Sequence, residues 1–486
     1  MRLLLSILLS TLPVLAANKY VRPGASGSQS GDDWTNAYTN LPSALTRGTI
    51  YYLADGTYPG QQRWNTANSG TSTIEFRKAT ASDHGTETGW SSTYGDGQAL
   101  FNGYLEFCND YWIVNGVSRT SMTNGHGIKI KATAVSDDML AFGSLYYDQP
   151  AKHCVAQYIE IEGTHSSDDA YEDRLFRVPS LSGGSNDADD IYLGYSYVHH
   201  GGGTLAHIVS ATNIVIEYTR FEYNDSSALQ HSGGIIFNSG CVNATVRYCE
   251  FWDIEGTAYI ETPTAGHPAC AGPSSANWLI YGNLFGYTAA NASRSTSAAF
   301  DEKRTGCGNG IIYLFDTAMS GEFKVYNNTI VNLNSTSGWG TPAAFIGMEV
   351  DSGSKACGPE LVVRNNMWWN CNRVDAFTDT TAATNITWTH NTYFSVTTVN
   401  DSDGNKQTGS TNPFVDSSTD DYRLNVATAA GVTLSSPYTT DWQGDTRGGD
   451  GTWDRGWDEY GTGEGGGGSS SGSGKSKPGQ GKGRRR

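Results

Sequence analysis

Short apolar beads, separated by glycine, asparagine and serine, run through most of the chain. Gly233–Glu261 reads GGIIFNSGCVNATVRYCEFWDIEGTAYIE, with beads at Ile235–Phe237, Val246 and Phe251–Trp252 and a new glycine-led bead from Gly256. No 3.6-residue period persists over the length of a helix, and each bead is the length of a short strand. The beads also recur. IYLGYSYV ends at Val198, NIVIEYTRF at Phe221, NATVRYCEF at Phe251 and NWLIYGNLF at Phe285. FKVYNNTIV then supplies Ile330, LVVRNNMWW supplies Trp368 and THNTYF ends at Phe394. The steps between these positions are 23, 30, 34, 45, 38 and 26 residues. A unit in the low twenties with loops of variable length inserted accounts for all of them, which is the signature of a solenoid. A single coil cannot bury its own apolar face, so the coils stack, pair their strands in parallel and share one interior. Asn213, Asn243 and Asn277 open three successive units, and stacked asparagines at a turn bond along the solenoid axis.

The rhythm divides the chain. MRLLLSILLSTLPVLAA (residues 1–17) has one arginine, an apolar run too short to span a bilayer and a small-residue end, which predicts a secretory signal peptide and export. Residues 18–50 form a cap in which Asp33, Trp34, Ala37, Leu41 and Leu45 cover the open first coil. The repeat occupies 51–396, a closing segment 397–460, and a Gly/Ser-rich tail 461–486 that ends in basic residues and lacks the apolar content to fold.

The recurring N-x-x-I-x-x-N-x-F beads, together with the glycine-led runs HGIKI (126–130), GGIIF (233–237) and NGIIY (309–313), resemble the right-handed parallel β-helix of the pectate-lyase-like superfamily. The resemblance covers roughly Tyr20 to Phe394. It implies an all-β, single-stranded right-handed β-helix with a long groove lined by the glycine-led strands, in which a polysaccharide lies along the axis. Glycoside hydrolases of this superfamily carry ordered Asn-Thr-Asp, Asp-Asp, Gly-His-Gly and Arg-Ile-Lys motifs. Here Gly125–Gly127 precedes the acidic SSDDAYED and no Arg-Ile-Lys occurs, so that pattern is absent.

Strand alternation then nominates residues. In GTAYIET, with Ala258 and Ile260 inward, Tyr259 and Glu261 face out, and Asn238 of the preceding coil lies near Glu261. The next coil brings Asp301, Glu302, Lys303 and Arg304, the one after it Glu349, and the coil before offers His231. On the superfamily's chemistry, a lyase reading makes Lys303 the base and Arg304 the neutraliser of a uronate carboxylate, with Glu261 and His231 as further catalytic candidates. Asn238, Glu261 and Asp301 form an oxygen set for Ca²⁺, and Tyr259, Glu302 and Glu349 contact substrate. Tyr287 and Trp339 are further sugar-stacking candidates. A hydrolase would instead pair Glu261 with Asp301 or Glu302, and a third reading is a rod that only binds. The outward residues of earlier coils, His126, Lys129 and Arg177, are the reserve set.

Composition narrows this further. The formal net charge is −17, and six of the basic residues lie in Gly465–Arg486, which has no acidic residue, so the body is more acidic still. That balance argues against nucleic acid and anionic membrane surfaces as partners. No phosphate loop or dinucleotide fingerprint is present, so no organic cofactor is expected. Eight cysteines in an exported chain suggest disulfides, with Cys270 and Cys307 as one pair, although buried thiols acting as small core residues fit the same count. The reading is of a secreted, monomeric polysaccharide lyase.

Overall fold

The computed structural model describes residues 18–133, 138–164, 174–179, 188–224, 233–238, 241–254, 256–262, 277–292, 307–315, 322–333, 344–349, 360–377 and 385–461. Residues 1–17, expected to be a signal peptide, and nearly all of the basic tail lie outside them. Among the described residues the regular structure is β-strand with a few short 3-10 turns, and no helix is long and apolar enough to cross a membrane.

Each coil contributes one strand to each of three sheets of 12, 12 and 11 strands, and every neighbouring pair within these sheets is parallel to the next coil's equivalent. In the order the chain meets them, the coil around residue 250 supplies Val242–Arg247 to the first sheet, Glu250–Ile254 to the second and Gly256–Thr262 to the third. The beads fall into vertical ladders. Tyr58, Phe101, Ile130, Ile161, Val198, Phe221, Phe251, Phe285, Ile330, Trp368 and Tyr393 are register partners up the second sheet. All of them are buried in one continuous core. Rings that meet on the ladder stack at 5.0 Å for Phe221–Phe251 and 4.8 Å for Phe251–Phe285. The last bead differs from the sequence reading: Trp368 is level with Tyr393, and Phe394 pairs one place on, with Trp369. A one-residue slip exchanges inside for outside.

The corner from first to second sheet needs a left-handed residue in each coil. Tyr158, Tyr195, Tyr218, Tyr248, Gly282, Asn327, Asn365 and His390 occupy it with positive φ. Immediately after it runs a fully buried asparagine ladder. Asn328 Oδ1 accepts from the backbone and side-chain nitrogens of Asn283, both at 3.0 Å, and Asn366 Oδ1 does the same for Asn328. Asn391 continues the series above Asn366. The ladder expected at Asn213, Asn243 and Asn277 also forms, on the exposed side of the first sheet: Asn243 Nδ2 donates to Asn213 Oδ1 at 3.4 Å and Asn277 N donates to Asn243 Oδ1 at 3.1 Å.

Lys19–Val21 pairs with Ile50–Leu53 as the first rung, and Trp34 and Ala37 pack with Tyr20, Tyr52 and Ala79 over that end. Among the described residues, five cysteines follow the small-core-residue reading. Cys108, Cys154, Cys249 and Cys371 are buried, unbridged thiols, and burial pushes those of Cys154, Cys249 and Cys371 up to about 12. Cys241 is buried in the same core, with its thiol on the Ile208 carbonyl. Cys270 and Cys357 lie outside the described residues, and Cys307 opens the strand Cys307–Phe315.

Candidate functional site

The third sheet carries the groove-strand candidates. Its inward ladder is Leu140, Phe176, Ala206, Ile235, Ile260 and Ile312. The residues one step along face the other way and form a second row: Arg63, Glu106, Ala141, Arg177, His207, Ile236 and Glu261, in consecutive coils. Adjacent members are about 4.8 Å apart along the axis. Of the three runs taken for groove strands, GGIIF and NGIIY lie in this sheet, whereas HGIKI supplies Ile128–Lys131 to the second.

The chemistry-bearing part of the row centres on Arg177 and His207. Asp138 sits level with Arg174 on neighbouring strands, and its two carboxylate oxygens lie 3.8 Å from Arg174 Nη1 and 3.8 Å from Arg177 Nε. Arg177 Nη1 contacts His207 Nδ1. A guanidinium only donates, so Nδ1 accepts and the ring proton belongs on Nε2. Arg174, Asp138 and His207 are half-buried, while Arg177 is buried beneath them. The group therefore presents the Arg174 guanidinium, with Arg177 and the His207 Nε2 buried behind it and the Asp138 carboxylate beside both arginines.

The sequence-derived candidates separate. Glu261 stands in the outer row, level with Ile236, but is only 1% exposed. Asn238 shares that face two residues further along its strand, level with Val209, which sets it diagonal to Glu261. Such diagonal neighbours are about 7–8 Å apart. Glu349 ends the strand Ala344–Glu349, opposite Phe315. His231, Asp301, Glu302, Lys303, Arg304 and Trp339 lie outside the described residues.

Tyr259 is a correction. It is fully buried, with its ring 6.4 Å from Phe251 and 5.8 Å from Phe285, both on the core ladder of the second sheet. The pairing register shifts between Gly256 and Ala258, at the start of this strand. Met139, Leu175 and Leu205, at the corresponding place in earlier coils, are core residues too. Simple alternation fails at this corner, because the chain has not yet turned fully onto the third sheet. Tyr287, expected to stack on sugar, is likewise buried in the core.

Of the reserve residues, Arg177 belongs to the row above. Lys129 lies on the second sheet and His126 just before it. There Lys129 Nζ pairs with Glu160 and with Glu162, and His199 Nε2 lies 3.3 Å from Glu160 Oε1. Burial pushes the Glu160 carboxyl up, but hydrogen bonds from His199, Lys129 and Gln98 outweigh it and hold it down to about 2. Glu160, Glu162 and His199 are the one group of ligand-type atoms gathered closely enough for a metal among the described residues. The Lys129 ammonium already occupies the position between the carboxylates, so this is a satisfied ion-pair network. For Ca²⁺ on the third sheet, Asn238 and Glu261 offer at most three side-chain oxygens from described residues, against the six to eight that calcium takes.

Three all-parallel sheets wound coil upon coil make a parallel β-helix, and crossovers between parallel strands of one sheet are right-handed. The chain folds as a right-handed parallel β-helix. No family model and no curated protein sequence matches it. Solved structures similar to it include pectate lyase Pel9A, with a TM-score of 0.44 and 13% identity over 88% of this chain and 94% of that one. The PL6 family alginate lyase AlyGC aligns with a TM-score of 0.36 and 11% identity over 75% of this chain and 51% of that one. The Agl-KA catalytic domain aligns with a TM-score of 0.25 and 11% identity over 74% and 63%.

Proposed function

We propose that the outer face of the third sheet binds a uronate-containing polysaccharide along the solenoid axis and that the chain cleaves it by β-elimination. The observation that carries this reading is the Asp138–Arg174–Arg177–His207 group: a cluster of cationic and N–H donors on one face of an otherwise acidic molecule. A uronate carboxylate placed there meets Arg174, which draws charge from it and acidifies the hydrogen on the carbon next to it. A base takes that proton, the electron pair forms the ring double bond, and the glycosidic C–O bond to the next sugar breaks. The departing oxygen leaves with a proton from an acid or from water. Arg177 is a positioning residue, since it shares the Asp138 carboxylate with Arg174. Lys303, the base expected from the sequence, lies outside the described residues, and the strand Cys307–Phe315 that follows it is four strands from the one bearing Arg174, about 19 Å at the strand spacing, so this reading leaves the base unassigned. No step requires calcium.

The test is incubation of the mature protein with polygalacturonate, alginate and chondroitin sulfate. Ultraviolet absorbance of unsaturated products is followed beside new reducing ends. Both should rise together on one substrate. Arg174→Ala should lower turnover by about 100-fold or more. Arg177→Ala should lower the rate less than Arg174→Ala does, and Arg177→Lys, which keeps a cation beside Asp138, should recover part of the loss. Reducing ends without absorbance would make the chain a hydrolase. Retention on a polymer without either signal would make it a binder.

A further inference from the structure

Six large hydrophobic side chains are prominently exposed among the described residues, and three are consecutive: Leu145 at 55%, Tyr146 at 74% and Tyr147 at 38%. They sit at the tip of the loop that leaves the third-sheet strand Asp138–Phe142. This loop is not slack. Ser144 N donates to the Gln149 carbonyl at 2.9 Å and Gln149 N returns to the Ser144 carbonyl at 3.1 Å, closing it at the base. The Ser144 hydroxyl accepts from the backbone N–H of Tyr146 at 3.2 Å and of Tyr147 at 3.4 Å. The two rings meet edge to face at 4.9 Å. A chain that spends this much backbone order on holding two tyrosines in water has a use for them.

What lies beside them is not apolar. Arg63, at the head of the outer row, places its guanidinium 5.3 Å from the centre of the Tyr146 ring and 4.5 Å from that of Tyr104, and it pairs with Glu106 in the next coil. The result is a strip of aromatic faces edged by donors and acceptors, level with the first coils of the third sheet. It is continuous with the face that carries Arg177: the strand bearing Arg63 is three strands away from the strand bearing Arg177. That is about 14 Å at the strand spacing, room for further sugar residues of one extended chain. A flat ring with apolar C–H faces and a hydroxylated or carboxylated edge fits such a strip. A protein partner would instead need a broad apolar patch.

We infer that Tyr104, Tyr146, Tyr147 and Arg63 form a distal sugar-binding subsite. It stacks a pyranose ring of the same uronate polysaccharide and lengthens the segment of chain held on the third sheet. This inference rests on the proposed glycan-binding role of that face.

Affinity electrophoresis of the mature protein in gels containing polygalacturonate, alginate or chondroitin sulfate tests it. Tyr146→Ala, Tyr146→Trp, the double variant Tyr146→Ala/Tyr147→Ala and the control Tyr460→Ala, an exposed tyrosine remote in sequence, are run beside the parent. On the polymer that retards the parent, Tyr146→Ala should weaken retardation by about tenfold and the double variant by more. Tyr146→Trp should retain it, Tyr460→Ala should match the parent, and all four should keep the parent's melting temperature. Parent-like retardation of the double variant would overturn the subsite while leaving the glycan-binding face intact. A parent that no polymer retards or is cleaved by would overturn the face and the subsite together.

Discussion

Asn328 shows how much of this fold depends on a single amide. It is fully buried and uses its whole hydrogen-bonding capacity. Its oxygen accepts two bonds from Asn283, and its side-chain nitrogen donates to the Ile280 carbonyl at 3.0 Å and to Asn366. Asn328→Ala leaves a backbone N–H, a carbonyl and two side-chain amides short of partners, with no water to replace them. Each orphaned group costs about 1–3 kcal/mol, so the variant should lose about 3 kcal/mol or more, read as a lower urea midpoint. Exposed Asn243, one member of the outer ladder, should lose well under half as much on the same change, because water replaces its 3.4 Å bond to Asn213. Equal losses at the two sites would show that stacking along the axis, not burial, sets the value of a ladder asparagine.

At the scale of the strand, the sequence reveals its ladders better than its faces. Val198, Phe221, Phe251, Phe285, Ile330 and Trp368 are legible as equivalent positions, and they are register partners, because an inward aromatic or branched residue recurs wherever a coil closes on the core. The second asparagine ladder was open to view in YGN, YNN, RNN and THN, where an asparagine follows each left-handed corner residue. Tyr259 was not legible: alternation assumes a strand already lying on its sheet, and at this corner Met139, Leu175 and Leu205 turn into the core as Tyr259 does. The Arg177–His207 contact was half legible. Both residues alternate outward, but which two coils are neighbours depends on loop lengths that the beads do not fix. His126 lies just outside the second sheet and shows what burial does to such a residue. Burial, with Arg119 nearby, lowers its ring to about 3.

The closing segment is the element most sensitive to pH. Burial pushes the Glu459 carboxyl up to about 7, against the opposing pull of the Gly448 N–H and of Arg447 at 3.6 Å. Burial raises its neighbours Asp441, Asp454 and Asp458 in the same direction. A free glutamate titrates at about 4.3. Between that value and about 7 the folded segment holds a proton that the unfolded chain releases. Its contribution to stability is therefore complete only below about 4.3, falls as pH rises from there, and is lost once pH has passed through about 7. Hydrogen exchange across residues 441–460, corrected for the intrinsic rate, should quicken from pH 5.5 to pH 8 more than exchange in the core ladder strands. Glu459→Gln should flatten that difference. A segment equally protected at both pH values would show that Arg447 keeps these carboxylates ionised throughout.

In the whole molecule, each coil touches its neighbours and little else, so stability is nearly a sum over adjacent pairs and a stack of this kind can open from its ends. The closing segment changes that for the last coils. Trp453 Nε1 donates to Asn327 at 3.3 Å, Gly456 N to the Asn365 carbonyl at 2.7 Å, and Arg455 Nη1 to the Asn391 carbonyl at 3.0 Å, which ties three successive corner turns to one strip of chain. The strip reaches further back, where Tyr248 Oη donates to the Thr440 carbonyl at 3.2 Å, and Tyr438 packs its edge against Tyr281 and Tyr326. It is a clip laid along the rod, and it couples coils that otherwise meet only through their neighbours. A chain ending at Ala427 keeps the strands of every coil but loses the clip. Its C-terminal coils, from Asn277 to Phe394, should then lose hydrogen-exchange protection before the N-terminal coils from Ile74 to Asn224. Its calorimetric melt should split into two steps where the parent shows one. If the shortened chain melts in a single step with uniform loss of protection, the coils are coupled through the shared core alone, and the clip merely covers the corner residues it touches.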